Sequence, residues 1–414
     1  MFQFKNWLIV NFLLIVFIGC SATLPTQPPL PTRFDPTALP RATAAPAATN
    51  PPVQNPTVLA PTPEPTSSAV LPRNAVWLLN DNAIVAANAQ TQHVILTDNP
   101  ETLNPIAMQV APDGARFAYM LFDQTGRVRF FVTDAETGAQ QTLAEGRNTG
   151  IVGARFSPDG KQIAYTVIDQ SNPAQGKWEL RVHDFETQAS RVLEQFQQTS
   201  PNDSLKPLGA FAWTNAGLFV EQYLWNSDAP PQGIMRMDPQ SGQMHSVTSE
   251  SHLRAEISPN AQHIARVTGI TPLGPDAILQ TSLSILNVND GGMKMVAQNA
   301  PNWISIVRWS PDGTRLLFSK QSNLTDSPTE LVIARADGTI EQTLPIPKAR
   351  GTLKDAAWRD DGTLLLLFVP DTKELHLYQA ATDHWNADAW NRLAVLEGSS
   401  RPFANTRIVY VPTH

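Results

Sequence analysis

From Arg73 onward the chain alternates apolar and polar residues in short runs, the period of half-buried strands, and the runs are broken by Pro, Gly, Asn and Asp. One unit recurs at the breaks. It reads Val110-Ala-Pro-Asp-Gly-Ala-Arg-Phe-Ala-Tyr119, Phe156-Ser-Pro-Asp-Gly-Lys-Gln-Ile-Ala-Tyr165, Ile257-Ser-Pro-Asn-Ala-Gln-His-Ile-Ala-Arg266 and Trp309-Ser-Pro-Asp-Gly-Thr-Arg-Leu-Leu-Phe318. Looser copies begin at Trp213 and Trp358, and a shortened one runs from Phe403 to Val411. Proline presets the first corner of a tight turn, Asp or Asn accepts the next position, and Gly takes the left-handed residue that returns the chain to a strand. The pairs Asp113-Gly114, Asp159-Gly160, Asp312-Gly313 and Asp361-Gly362 are therefore expected to be structural turns, each closing a hairpin between two buried strands.

A second hairpin is expected after each of these units, as from Phe130 to Leu143 and from Leu180 to Leu193. Two hairpins make a four-stranded sheet. The turns fall near positions 112, 158, 215, 259, 311, 360 and 405, a spacing suited to the blades of a β-propeller. The 341 residues from Asn74 to His414 allow about 49 per blade over seven blades. The expected fold is all-β: a seven-bladed propeller over 74–414, closed by N-terminal strands within Val76 to Thr97 sharing a sheet with the strand Arg407 to Val411. A six-bladed ring with an extra strand pair is the alternative. These Ser-Pro-Asp-Gly units resemble the WD-repeat-like propeller repeat of the TolB family, which is also found in the non-catalytic propeller of dipeptidyl-peptidase-type enzymes. The resemblance implies a rigid scaffold that binds proteins, peptides or saccharides on one face, in many members without chemistry of its own. TolB's additional N-terminal α/β domain has no counterpart here, where a Pro/Thr-rich stretch stands instead.

The N-terminal part reads differently. Residues 1–20 carry one lysine, an apolar run from Trp7 to Gly19 and the chain's single cysteine, Cys20, the pattern of an export signal. Phe17-Ile-Gly-Cys20 resembles the lipobox of bacterial lipoproteins, which implies lipidation at Cys20 and an anchor on the extracytoplasmic face of a membrane. An uncleaved membrane anchor is the other reading, although thirteen apolar residues rise only about 20 Å as a helix. Residues 21–73 hold 14 of the 35 prolines and almost no charge, so they lack the apolar surface to offset ordering entropy. Such a spacer reaches about 160 Å as polyproline II, or about 40 Å as a flexible coil.

Composition narrows the function classes. Thirty Lys+Arg against 37 Asp+Glu gives a net charge of -7, with no excess of cations to neutralise a nucleic-acid backbone. A single cysteine excludes a disulfide framework and a thiolate metal cluster. The eight histidines form no His-Glu-x-x-His pattern, no Gly-x-Ser-x-Gly elbow occurs, and no cofactor or metal motif is legible. Asn287-Val-Asn-Asp-Gly291 faintly resembles a calcium loop but sits where a hairpin turn is required. The sequence therefore favours a monomeric, non-catalytic binding propeller. The alternative is a carbohydrate-active enzyme, a lyase or glycosidase, with its site at the central channel.

Topology points to one face. With strands a to d numbered outward from the axis, both kinds of tight turn share one end of the ring. The b–c and d–a connections share the other, and the long irregular loops are expected there. Trp178, Tyr223, Trp225 and Trp303 fall in or beside those loops and are the candidate contacts for a protein, peptide or glycan. The plain alternative is that each packs beneath its own loop.

Overall fold

The computed structural model describes residues 76–411 except 81–82, 88–91, 97–101, 124–125, 173–174, 201–203, 226, 228, 271–279, 301–302, 322–327, 371–373 and 398–405. Residues 1–20 with Cys20, expected from the sequence to be an export signal, and residues 21–73, expected to be a spacer, lie outside the described residues. Seven four-stranded antiparallel sheets make up the described structure. Their innermost strands are Thr102–Val110, Thr149–Phe156, Leu208–Thr214, Arg254–Ile257, Val307–Trp309, Thr352–Trp358 and Arg407–Tyr410, and these define blades 1 to 7 in order. Each innermost strand touches the next, and the last touches the first, so the blades close into a seven-membered ring around an axis.

Closure pairs the first and last of the described strands. Arg407–Tyr410 lies antiparallel to Val76–Asn80, with Trp77 opposite Tyr410, Leu78 opposite Ile408 and Leu79 opposite Arg407. Ala83–Ala87 and Gln92–Leu96 complete that sheet. The last repeat thus supplies the innermost strand and the segment from Val76 the three outer ones, as expected from the sequence.

Blade 2 shows how the repeat folds. Between Thr149–Phe156 and Gln162–Asp169, the Ser157 hydroxyl donates to Asp159 Oδ1 at 2.6 Å and accepts the Gln162 N–H at 2.9 Å. Asp159 Oδ1 also accepts the Lys161 N–H at 3.0 Å. Ser310 and Asp312 repeat these bonds in blade 5. Gly160 and Gly313 take φ values of 68° and 70°, the left-handed region that a Cβ penalises. The outer hairpins are capped by their own side chains: the Asp134, Asp184 and Asp238 carboxylates each accept two backbone N–H groups across the turn. The 287–291 segment is such a turn, closed by Gly291 N–H to Asn287 O at 3.0 Å.

The core is a set of layers between blades. Strand Leu364–Val369 is apolar on both faces: Leu364, Leu366 and Phe368 pack toward blade 5, while Leu365 and Leu367 pack toward Val76, Leu78 and Ile408 of blade 7. Middle strands are therefore continuous apolar runs, whereas outermost strands such as Gln140–Arg147 are largely exposed. One connection departs from the expected division of the ends. The c–d connection of blade 6, residues 381–390, is long although it leaves from the tight-turn end. It folds back over blade 5, with Thr382 O accepting from Gln342 and Trp385 Nε1 donating to Pro345 O at 2.8 Å. The rings of Trp385 and Trp390, 4.8 Å apart, hold it in place.

Candidate functional site

The four aromatic candidates occupy different environments. Trp178 is 6% exposed and belongs to the apolar layer between blades 2 and 3, so it is packed beneath its loop. Trp225 is half-buried, its ring against Gly150, where a Cβ would meet it at 2.5 Å. Tyr223 is half-buried too and lies against Gly209 in the same manner. The two glycines on the innermost strands of blades 2 and 3 thus make room for the two rings. Trp303, half-buried, bridges Gln321 through paired backbone hydrogen bonds of 2.8 and 3.1 Å. The turn residues Asp113, Asp159, Asp312 and Asp361 each bond a backbone N–H of their own turn and sit apart from one another round the ring.

A second group, absent from the sequence reading, converges on the axis. Arg155, Arg254, Arg308 and Arg407 all project from innermost strands, in blades 2, 4, 5 and 7. Arg407 interacts electrostatically with Arg155 and with Asp355 and Arg308; Arg254 interacts with Arg308, Glu256, Asp355 and Arg407. All of these groups stand on innermost strands, so their charges act on one another along the inner wall of the ring. The side chain of Arg308 keeps 23% of its surface accessible.

The charges are unevenly matched. Arg308 lies 3.5 Å from Asp355 and 3.9 Å from Glu256. Asp355, 5% exposed, is held by the N–H groups of Ala356 and Ile408, both at 2.9 Å, which ties blade 6 to the closing strand. Arg155 donates to the carbonyls of Phe211 and Ala154, and Arg254 to that of Ser305. Arg407 has a buried Nε without a hydrogen-bond partner. Burial and then repulsion from Arg308 hold Arg254 below the ordinary guanidinium value, against the pull of Glu256 and Asp355. Burial likewise lowers Arg155 and Arg407. Burial acts on Arg308 in the same sense, but its two carboxylates outweigh it and leave that group raised.

Beside Arg155 stands a hydrogen-bonded trio between blades 3 and 4. The buried Glu221 accepts from the Tyr223 hydroxyl on one oxygen and lies 2.7 Å from His252 Nε2 on the other. Burial and the Glu221 charge push the Tyr223 phenol well above its ordinary value, so it stays a donor. His252 Nδ1 is buried and has no partner. The tautomer with its proton on Nε2 satisfies Glu221 and leaves only a lone pair unmatched. No group of three or more His, Cys, Asp or Glu suited to a metal occurs among the described residues.

These arginines, scattered about fifty to a hundred residues apart, left one signal in the sequence. Two residues ahead of each turn serine or its counterpart stand Gln109, Arg155, Ala212, Glu256, Arg308 and Ala357, and two residues further back stand Arg254 and Asp355. Aligning the repeats by their turns would have gathered these polar positions on the axis.

No protein-family model matches the chain, and no curated protein is significantly similar to it in sequence. Solved structures do overlay on it. A prolyl endopeptidase aligns with a TM-score of 0.55 at 11% identity, over 80% of this chain and 51% of that one. The ring is a β-propeller, and at this identity the likeness shows the fold alone. The chain spans about half the length of that endopeptidase. An oligogalacturonate lyase in complex with manganese overlays with a TM-score of 0.49 at 16% identity, over 74% of this chain and 85% of that one. The propeller domain of a trilobed protease from Pyrococcus furiosus has the same score and identity, over 76% and 87%.

Proposed function

We propose that the chain is a lipid-anchored, extracytoplasmic binding propeller of TolB-like type. In this reading Cys20 carries the lipid, residues 21–73 hold the ring clear of the membrane, and the loop end recognises a protein, peptide or glycan without catalysis. The asymmetry of the ring carries it. Ser-Pro-Asp-Gly turns close one end, while all the long connections except 381–390 leave from the other, with the half-buried Tyr223, Trp225 and Trp303 in or beside them. Trp178, enclosed in the core, is left out of the proposed contact surface.

Screening the purified protein against peptide and envelope-glycan arrays tests the recognition half. Trp225→Ala and Trp303→Ala are expected to weaken the partner so found by tenfold or more, and full binding by both variants would contradict the reading. Cys20→Ser should move the protein from the membrane fraction to the soluble one.

One observation favours a second reading, a carbohydrate-active enzyme working at the channel. A buried carboxylate held between a phenol and an imidazole, beside a guanidinium, is a set of groups suited to proton transfer on an acidic sugar. Release of new chain ends from acidic oligosaccharides, lost in His252→Ala, would support it over the non-catalytic reading.

A further inference from the structure

We propose that the channel axis is a binding site for a carboxylate ligand, held by Arg155, Arg254, Arg308 and Arg407. The inference goes beyond the loop-end reading and stands apart from it, since the residues differ. Its first ground is placement: the four guanidinium groups rise from the innermost strands of four blades, Arg308 lies 3.5 Å from Asp355 and 3.9 Å from Glu256, and Arg254 and Arg407 each feel the charges of Arg308 and Asp355. Its second is charge. Across the described residues these four cations face three carboxylates, Asp355, Glu256 and Glu221, and Glu221 is already engaged by Tyr223 and His252. A surplus of positive charge therefore sits at the centre of a protein whose net charge is -7.

The third ground is the count of hydrogen bonds. Each guanidinium has five N–H donors. Arg155 and Arg254 spend theirs on a few backbone carbonyls, and Arg407 keeps a buried Nε with none. A buried cation short of acceptors costs free energy that an oxyanion would recover. The planar forks of arginine match a carboxylate in shape. Since the site lies on the axis of a ring, the carboxylate must belong to a free acid or to a narrow chain end.

Titration calorimetry on the full-length protein in detergent, at low ionic strength, tests this with three probes: malonate, a tripeptide with a free C-terminus, and the same tripeptide amidated. The expected result is saturable one-site binding of malonate, weakened tenfold or more in Arg254→Gln and in Arg407→Gln. Glu256→Gln should strengthen it several-fold by removing a competing anion, a gain that misfolding cannot imitate. Tighter binding of the free-acid peptide than of malonate would assign the site to a chain end, and the reverse order to a free acid. Absence of malonate binding, equal affinity across wild type and all three variants, or equal binding of the amidated peptide would overturn the proposal. None of these outcomes bears on Trp225 or Trp303, so the site can fail while the loop-end reading holds.

Discussion

Ala261 holds a φ of 58° at the corner where Gly114, Gly160, Gly313 and Gly362 stand in the sister turns. A Cβ in that region costs roughly 1–2 kcal/mol, and the extra freedom of glycine in the unfolded chain returns part of that. Ala261→Gly should therefore stabilise the protein by about 0.5–1 kcal/mol, read as a rise in denaturant midpoint with an unchanged slope. At the outer turn of blade 2, Asp184 accepts from Gln162 Nε2 at 2.8 Å and from the Glu186 and Thr187 N–H groups. The Gln162 bond first, then that from Thr187, lowers its carboxyl from 3.8 to about 2. Because the folded state binds the proton more weakly than the unfolded chain, this contribution is complete above about pH 4 and is lost as pH falls toward 2. Thermal melts should show a smaller drop between pH 4 and pH 2 in Asp184→Asn than in the wild type, while an equal drop would remove Asp184 as a source of the acid sensitivity.

Neighbouring blades are joined by side chains that reach across the apolar layers. Trp309 Nε1 donates to Glu256 O at 3.0 Å, and Trp358 Nε1 donates to Arg308 O at 3.2 Å. Arg315 covers the Trp358 ring at 4.7 Å, as Arg116 covers Phe185. Trp358 is buried, so Trp358→Ala should cost about 3–5 kcal/mol by cavity formation, and Trp358→Phe about 1 kcal/mol for the lost hydrogen bond. Chemical denaturation of the two variants would rank them. Much of this level was legible in the sequence, since Pro, Asp and Gly specify a turn through their own backbone chemistry. The blade 6 connection was not: its hold on blade 5 comes from Trp385 and Trp390, which have no turn signature and meet their partners only in the folded ring.

At the scale of the whole molecule, closure decides what the axis becomes. Pairing of Trp77 with Tyr410 and of Leu78 with Ile408 joins strands more than three hundred positions apart and brings Arg407 within electrostatic reach of Asp355, Arg308 and Arg155. The sheets and their number could be read from spacing, because each blade is local. The charged axis could not, because each innermost strand supplies only one or two of its residues, and the ring alone assembles them. Trp178 shows the same limit from the other side: its place near a loop was readable, but the layer of blade 3 that covers it was not. Crystals grown with 3-bromopropionate test the assembled axis most directly, through the anomalous signal of bromine. The account predicts a peak in the channel with the carboxylate among Arg254, Arg308 and Arg407. Bromine found only on the outer surface of the blades, with the axis empty of ligand, would contradict it.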